Sequence, residues 1–368
     1  MILNRQAFFD LSFLFFFTVL LLSSVTNGFI SNYNVILNFI FCILLLACVK
    51  YSYNQILYMS MLFFSLVLVF FLTFRIDYHF AVFLVYFLLM MTFCKLIVSR
   101  STIGYSRFKV YNLGFVAYLI LTFSLSFKTS SYSEEGRFLG LLNSTNVSSF
   151  VVGLMIIYIL EFYTLQLKHY LFKVFIASVV VFYFYTVFQT RTFLIIYVYI
   201  FYKLLGARKI SMYLVPFIFS MIFLFLIKPL PVENISRFYI DGSISTRISL
   251  TTHIVSLSLS DGTYFLIPNG GGATYLKITE LLGYKYPLHN DILMYLYDYG
   301  VIFVLISCLF AVSVYKGVGL SFMTLSIMLF VFTSNFHNIL ISVYSIVPMV
   351  FIFEIMKWKS KNQGERMS

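Results

Sequence analysis

Residues 110–127 read VYNLGFVAYLILTFSLSF, a run without a single aspartate, glutamate, lysine or arginine. A helix needs about 20 mainly apolar residues to cross the hydrocarbon core of a bilayer. Similar runs recur along the chain of 368 residues, which is 61% hydrophobic and only 10% charged, with a mean hydropathy of +0.96. A water-soluble protein cannot build a polar surface from this composition. We therefore predict an integral membrane protein.

The lengths of these runs decide between the two folds that can span a bilayer. Every backbone polar group in hydrocarbon needs a partner inside the protein, so only helices or a closed barrel can cross it. Barrel strands are about 10 residues long and alternate in character, whereas these runs last roughly 17–25 residues. We predict an all-α, polytopic membrane protein that forms a single transmembrane domain over residues 1–368. The predicted spans are 8–24, 30–49, 56–74, 79–98, 110–127, 147–166, 171–188, 192–206, 211–228, 288–312, 318–334 and 338–356.

The charges between the spans orient the chain. If the N-terminus is cytoplasmic, one side carries 16 of the 25 basic residues but only four of the 13 acidic ones. Cytoplasmic loops carry the excess of lysine and arginine, so we place both termini in the cytoplasm. The net charge of +12 then reflects topology and does not call for a nucleic-acid partner. The basic residues on the predicted cytoplasmic side are Arg5, Lys50, Lys95, Arg100, Arg107, Lys109, Lys168, Lys173, Lys203, Arg208, Lys209, Lys316, Lys357, Lys359, Lys361 and Arg366, and the acidic ones are Asp10, Glu161, Glu354 and Glu365.

Residues 229–287 form a large loop of mixed polarity on the predicted outer side, periplasmic or extracellular. Connections of this length are usually functional. Apolar residues recur at near-helical spacing between 244 and 259, which predicts a short amphipathic helix lying along the outer membrane surface. These apolar residues are Ile244, Ile248, Ile254, Val255 and Leu259.

Three arginines on the predicted outer side are candidates for a ligand site: Arg137, Arg191 and Arg247. The planar guanidinium group matches the oxygens of phosphate and diphosphate groups in a bidentate manner. A site that combines several arginines near the outer leaflet therefore indicates a lipid-phosphate ligand. For any single arginine, the alternative is a side chain that extends to the lipid headgroups without a specific partner.

The segment His289-Asn290-Asp291 opens the predicted span 288–312 next to the large outer loop. His289 is a candidate general base because histidine titrates near neutral pH, and a purely structural histidine is the alternative. Either Asn290 or Asp291 can cap the helix, and Asp291 is the second catalytic candidate. Asp298 follows about two turns later, where an unpaired carboxylate is costly, so we expect it to face the interior of the bundle.

Four segments carry a resemblance to a known family. They are Gly136-Arg137-Phe138-Leu139-Gly140 followed by Asn146; Thr190-Arg191-Thr192; Ser245-Thr246-Arg247; and Gly270-Gly271-Gly272 followed by His289-Asn290 and a helix ending in Gly300. In this order they resemble the motifs of the bacterial O-antigen and capsular-polysaccharide polymerases (Wzy type), which share a superfamily with the O-antigen ligases. The resemblance covers roughly residues 130–315. The chain departs from the family pattern in having no proline before Asn146.

The resemblance implies a GT-C-like, metal-independent glycosyltransferase in the bacterial cytoplasmic membrane. Its donor would be a growing glycan on undecaprenyl diphosphate, and its acceptor an undecaprenyl-diphosphate-linked repeat unit. A chain-length regulator and a flippase would be its protein partners. In this chemistry Arg191 and Arg247, with Arg137 as a third candidate, would stabilise the leaving diphosphate. His289, backed by Asp291, would take the proton of the acceptor hydroxyl.

Neither a metal nor another cofactor is predicted, because the cysteines and histidines show no spacing typical of metal ligands. Two other functions stay open. An O-antigen ligase would share the fold and the arginines. A flippase for lipid-linked oligosaccharides would also have about twelve spans, but transporters typically show internal repeats. Residues 1–184 and 185–368 show no such correspondence.

Overall fold

The computed structural model describes the chain as a set of helices. They are α1 (Arg5–Val25), α2 (Tyr105–Leu125), α3 (Thr145–Tyr163), α4 (Tyr170–Phe188), α5 (Ala273–Leu282), α6 (Asp291–Tyr299) and α7 (Val343–Met367), and residues 249–257 and 301–305 are also helical. The described residues are 5–25, 37, 40, 104–128, 132–133, 138–142, 144–163, 170–188, 190, 193, 199, 249–257, 269–270, 272–284, 288, 290–305, 308, 312 and 343–367. Within them there is no strand, only an isolated bridge between Tyr132 and Phe138. The predicted all-α class is confirmed for this part of the chain.

Four of the predicted spans coincide with single helices to within a few residues: 8–24 with α1, 110–127 with α2, 147–166 with α3 and 171–188 with α4. The predicted span 338–356 corresponds to α7, which begins later and continues to Met367. The other predicted spans, apart from 288–312 and a few single positions, lie outside the described residues. They are 30–49, 56–74, 79–98, 192–206, 211–228 and 318–334.

The α3 helix is the centre of the main bundle. It packs against α2, α4 and α7, and α1 packs against α7. Residues 148–158 of α3 are all buried. The helix is apolar on every side, which is the pattern of a helix surrounded by other helices or by lipid. Its sequence therefore suits a central position.

Aromatic rings join α1, α2 and α7 next to α3. Phe351 of α7 contacts five rings of α1, α2 and α3, with ring centroids 5.4 Å from Phe9, 6.0 Å from Phe13, 4.9 Å from Tyr111, 5.9 Å from Phe115 and 6.5 Å from Tyr158. All five pairs are edge-to-face, the geometry that the ring quadrupoles favour. Each such pair contributes roughly 0.5–1.5 kcal/mol beyond the area it buries. The high aromatic content of the sequence is thus partly explained by packing between helices.

The outer faces of the main bundle are apolar as well. Large exposed side chains include Leu14 of α1, Leu113 and Ile120 of α2, and Phe175 and Phe182 of α4. Water-soluble monomers rarely expose contiguous apolar surface of this kind. By length and composition, α2 is the helix among the described residues that is able to cross a membrane, with a mean hydropathy of 1.5. Shorter apolar stretches are Phe9–Leu22, Val147–Tyr163 and Phe175–Phe188.

Two ion pairs lie at one end of this bundle, which we call the charged end and define by Asp10, Arg107, Glu161 and Lys359. The Arg107 guanidinium is 3.5 Å from the Asp10 carboxylate, and the Tyr111 hydroxyl donates to the same carboxylate at 2.8 Å. These contacts explain how α1 tolerates an aspartate inside an apolar run.

The second pair joins α3 to α7. Lys359 donates to Glu161 at 2.6 Å, and the Tyr199 hydroxyl donates to the other oxygen of the same carboxylate. Glu161 is completely buried. Nearby, the Tyr105 ring lies between Phe162 and Trp358, with centroid distances of 5.8 and 5.4 Å. The start of α2, the end of α3 and the later part of α7 therefore meet at the charged end.

A second, smaller core forms from the 249–257 segment, α5 and α6. Its buried residues are Leu250, Ile254, Ala273, Ile278, Leu288, Leu293 and Tyr297. Residues 249–257 of the predicted amphipathic helix are helical, and of its predicted apolar residues Ile254 is buried in this core and Val255 packs against it. The expectation that Ile254 lies on the outer membrane surface is therefore wrong, because the smaller core encloses it. Ile244, Ile248 and Leu259 lie outside the described residues.

The predicted span 288–312 begins as α6 but is interrupted at Gly300. The amide of Gly300 still donates to the Leu296 carbonyl at 2.9 Å, and its φ is 55°, ψ −136°. This conformation is open to glycine but strained for other residues. Helical backbone resumes at residues 301–305. Hydropathy alone predicted one continuous span because it depends on side-chain polarity and not on backbone conformation, whereas the motif that ends at Gly300 marks the interruption.

Candidate functional site

The first arginine motif sits in a loop that is tied to both α3 and α4. Phe138, the residue after Arg137, is fully buried, and its amide donates to the Val187 carbonyl of α4 at 3.4 Å. Its ring lies 4.9 Å from that of Phe188. The residue that follows Arg137 is thus anchored against the end of α4.

Gly140 closes this loop against α3. Its φ is +69°, a left-handed conformation that glycine adopts without strain. A Cβ at this position would lie 2.5 Å from the Cβ of Ser148, so the α3 backbone approaches closely. Ser148 fills the turn, because its hydroxyl donates to the Leu139 carbonyl at 2.7 Å and accepts from the Leu142 amide at 3.2 Å. A serine and a glycine therefore fix the path of the chain after Arg137.

Phe188, at the end of α4, contacts one aromatic residue near each of the first two arginines in the sequence. Phe193, two residues after Arg191, stacks on Phe188 with 5.9 Å between ring centroids. Phe188 in turn contacts Phe138. Phe138, which follows Arg137, therefore belongs to the same aromatic cluster as Phe188 and Phe193, which lie within three positions of Arg191. This convergence of Phe138, Phe188 and Phe193 was not predicted from the sequence.

Thr190, the residue directly before Arg191, adds a polar group beside this cluster. It is 7% exposed, and its hydroxyl has no hydrogen-bond partner among the described residues. Buried hydroxyls are nearly always hydrogen-bonded, so a buried hydroxyl without a hydrogen bond is unusual. A polar ligand held near Arg191 would supply such a partner.

The glycine run of the fourth motif is held by Asp298. Its carboxylate accepts from the Gly272 amide at 3.0 Å, from the Thr274 amide at 2.8 Å and from the Thr274 hydroxyl at 2.7 Å. The Gly270 amide donates to the Asp298 carbonyl at 3.0 Å. Asp298 thereby occupies the N-terminal end of α5, where free amides and the helix dipole favour a negative charge. The prediction that Asp298 faces the interior is confirmed, since it is 2% exposed.

The two residues next to His289 in the sequence hold the start of α6 in place. Leu288 is buried in the smaller core, and Asn290 is the N-cap of α6, with its side chain accepting from the Leu293 amide at 3.0 Å. Of the two predicted caps, the structure selects Asn290. Asp291 is the first residue of the helix, so its carboxylate is not needed as the cap. The capping role of Asn290 also limits the freedom of the chain at the motif.

The five predicted site residues fall largely outside the described part of the chain. Arg137, Arg191, Arg247 and His289 lie outside the described residues, and only the backbone of Asp291 is described. The structure therefore places some of their neighbours: Phe138 and Phe193 against Phe188, Leu288 in the smaller core, and Asn290 as the N-cap of α6. Arg247 stands two positions before the 249–257 segment of that core.

Sequence reasoning missed the pairing of Asp298 with Thr274. An acidic residue in an apolar helix and a threonine just after three glycines were the available signals, since free helix amides attract carboxylates. Their separation of 24 positions hid the contact. Among the described residues, no three His, Cys, Asp or Glu side chains are grouped as metal ligands would be.

Comparisons of the chain with protein-family models, with curated protein sequences and with solved structures found no match. Its geometry and its sequence motifs are therefore the grounds for assigning a function.

Proposed function

We propose that the protein is a polytopic membrane glycosyltransferase that polymerises lipid-linked oligosaccharides. It crosses the bacterial cytoplasmic membrane about a dozen times, with both termini in the cytoplasm. At the outer face it transfers a growing glycan from undecaprenyl diphosphate to an undecaprenyl-diphosphate-linked repeat unit. The exposed apolar faces of α1, α2 and α4 support the membrane placement, because lipid tolerates such surface and water does not. The ion pairs at the charged end support the proposed sidedness, because all four residues were assigned to the cytoplasmic side.

The observation that supports this proposal is the contact of Phe138 with Phe188, which joins the chain next to Arg137 to the end of α4 that precedes Arg191. Phe138 and Phe193 flank Arg137 and Arg191, and both contact Phe188. Two guanidinium groups on chain segments anchored side by side suit a diphosphate, which offers oxygens to both. The orphaned hydroxyl of Thr190 in the same place is a further donor for such a ligand.

The proposed reaction is a displacement at the anomeric carbon of the donor sugar. The acceptor hydroxyl forms the new glycosidic bond as the bond to the diphosphate oxygen breaks, and the electron pair leaves with undecaprenyl diphosphate. Arg191, Arg247 and Arg137 balance the growing negative charge on the leaving group. His289 takes the proton from the acceptor hydroxyl, and Asp291 supports it. The capped start of α6 is a rigid support for a base at this place.

The role of the site residues is tested by Arg247→Ala and His289→Ala in the host. We expect each change to abolish long polymer while the protein stays at its normal level in the membrane, which surface-polysaccharide gels and immunoblots measure. Matched controls are His253→Ala, a histidine within the large outer loop, and Lys128→Ala just after α2, both of which should keep the normal ladder. Near-normal chain length in both Arg247→Ala and His289→Ala would refute the assignment.

A second experiment separates the proposal from its two rivals. Deletion of the gene should collapse the ladder to a single repeat unit that still reaches the surface, because flipping and ligation remain intact. A ligase defect would remove every surface band, including the single repeat. A flippase defect would retain the lipid-linked units on the cytoplasmic side.

A further inference from the structure

A groove of about 270 Å³ runs along the surface between α2 and α3 at the charged end. It lies at the start of α2, away from the 138–142 loop that follows Arg137. The proposed reaction does not use it. At the start of α2 it is lined by the polar groups of Tyr105, Lys109 and Tyr163 beside the ring of Phe162, and farther along α2 by the apolar side chains of Leu113 and Val116. The groove therefore suits an amphiphilic ligand, because one end offers polar groups and the other end offers apolar side chains.

Asn112 marks the boundary between the polar and apolar parts. It is only 6% exposed, and its Oδ1 has no hydrogen-bond partner within the part of the chain that the structure describes. Its Nδ2 donates to the Tyr163 hydroxyl at 3.4 Å. An unpartnered carbonyl oxygen buried in a groove costs free energy unless a ligand supplies a donor. A ligand with a hydroxyl or another hydrogen-bond donor next to Asn112 would therefore satisfy its Oδ1.

Lys109 provides the charge of the groove. It is exposed, and its ammonium lies 5.2 Å from the centroid of the Tyr105 ring. This cation–π contact keeps the ammonium beside the groove. Anionic lipid headgroups attract lysines at the cytoplasmic membrane surface, so the phosphate of a lipid is a suitable ligand for this ammonium.

The apolar part continues in the direction that an acyl chain would take. Lys109, Asn112, Leu113 and Val116 are spaced by three, one and three positions, so they share one face of α2. With the start of α2 at the cytoplasmic surface, this face runs from the headgroup level towards the bilayer centre. Leu113 is 71% exposed, so it is available for contact with lipid.

We propose that this groove binds an anionic phospholipid of the cytoplasmic leaflet whose headgroup carries hydroxyls, such as phosphatidylglycerol. Lys109 and the Tyr163 hydroxyl hold the phosphate, a headgroup hydroxyl donates to Asn112 Oδ1, and an acyl chain lies along Leu113 and Val116. This assignment rests on the proposed membrane placement but not on the glycosyltransferase chemistry. The lipid would fasten α2 to α3 at the end opposite to the arginine motifs.

Native mass spectrometry of the delipidated full-length protein tests the assignment. The probes, at equal concentrations, are phosphatidylglycerol, phosphatidic acid, phosphatidylcholine and undecaprenyl phosphate. We expect phosphatidylglycerol to give the highest occupancy, and Lys109→Gln to lower its affinity about fivefold, the effect of losing one lysine near an anionic headgroup. Lys128→Gln is the matched control, because it removes one positive charge at the other end of α2 and should leave the affinity unchanged.

Asn112→Leu provides an independent readout. It removes the acceptor for the headgroup hydroxyl, so the preference for phosphatidylglycerol over phosphatidic acid should disappear while phosphate binding remains. Should this variant fold poorly, the comparison of Lys109→Gln with Lys128→Gln decides alone.

Three results would overturn the proposal: equal occupancy by phosphatidylglycerol and phosphatidylcholine, equal affinity in Lys109→Gln and Lys128→Gln, or displacement of phosphatidylglycerol by undecaprenyl phosphate at the groove. The last result would identify the groove as a carrier-lipid site instead. Because the readout is bound lipid mass without any glycan, it stands apart from the polymer ladder that tests the proposed function.

Discussion

The charged end and the motif-bearing segments are held in place by different interactions. At the charged end, side chains from distant helices form ion pairs, as in the Lys359–Glu161 contact of 2.6 Å across 198 positions. The motif segments are held mainly by hydrogen bonds that involve the backbone. Examples are the hydrogen bond from the Gly272 amide to the Asp298 carboxylate and the hydrogen bond from the Ser148 hydroxyl to the Leu139 carbonyl.

This difference separates global stability from the geometry of the site. A buried ion pair between helices couples elements of the whole bundle, so its loss should lower the stability of the entire fold. A backbone contact at a glycine fixes one loop, so its loss should displace a motif while the bundle persists. Stability and polymer formation should therefore respond differently to mutations in the two regions.

The largest expected effect is that of Lys359→Ala. It removes the Lys359 ammonium from the fully buried Glu161 carboxylate, and breaking a buried pair in this way costs roughly 3–5 kcal/mol of unfolding free energy. Thermal unfolding of the purified protein in detergent measures the loss. Lys277→Ala is the control, since it breaks the exposed Lys277–Glu280 pair and should cost less than about 1 kcal/mol.

Adding Glu161→Gln to Lys359→Ala should restore part of this loss. The neutral amide no longer needs a cation, and its oxygen still accepts from Tyr199. An equal decrease for Lys359→Ala and Lys277→Ala would show that the α3–α7 pair is screened by solvent and does not hold the bundle.

An intermediate effect is expected for Asp298→Asn. The amide keeps one oxygen but presents a donor to the remaining N–H groups at the start of α5, so the local cost is about 2–3 kcal/mol. Hydrogen exchange at Gly272 and Thr274 should accelerate, and long polymer should decrease. The midpoint of global unfolding should change less than in Lys359→Ala.

Glu280→Gln is the matched control for this variant, because it makes the same change of carboxylate to amide at an exposed position of α5. It should affect neither hydrogen exchange nor polymer. Unchanged exchange at Gly272 in Asp298→Asn would contradict the idea that Asp298 anchors the glycine run.

The smallest effect on stability is expected for Gly140→Ala, at about 2 kcal/mol. The new Cβ meets Ser148 at 2.5 Å in a left-handed conformation, so the loop that carries Arg137 must move. Polymer length should fall clearly although the bundle remains folded. The polysaccharide gel and thermal unfolding, measured on the same strain and protein, check both parts.

Gly283→Ala is the control for crowding. Gly283 has a similar φ of +77° but no atom within 4 Å of the added Cβ, so only the strain of about 1 kcal/mol remains. Equal polymer lengths in the two variants would mean that the contact between Gly140 and Ser148 does not position the first arginine motif.

The sequence predicted the helices of the main bundle because charge-poor runs mark them directly. The predicted bounds of α1, α2, α3 and α4 agree with the structure to within a few residues, except at the start of α2, which begins five residues earlier. The end of α7 was missed because Lys357, Lys359 and the following polar residues lower the hydropathy, although a helix continues through them. Hydropathy measures where lipid is tolerated, whereas helix ends depend on caps and on local propensity.

The candidate site was predicted as a set of residues, without their mutual arrangement. Motif order along the chain indicated that Arg137 and Arg191 belong together, and the contact of Phe138 with Phe188 supports this. The partner of Asp298 could not be predicted, because Thr274 is 24 positions away in the sequence. Each of the two residues, taken alone, is typical of a helix cap. The apolar face of the 249–257 segment could equally have faced lipid or protein, since its pattern is the same in both cases.

Composition and periodicity by themselves determined that the chain is apolar and carries a net positive charge, and they predicted the helices that the structure describes. These properties are sums over local residues, so no knowledge of the fold is required to read them. Only the tertiary structure decided which charges are paired, as with Glu161 and Lys359, and which glycines are crowded, as with Gly140 beside Ser148. Such contacts depend on distances of a few ångströms between remote positions, and these distances follow from how the helices pack against each other.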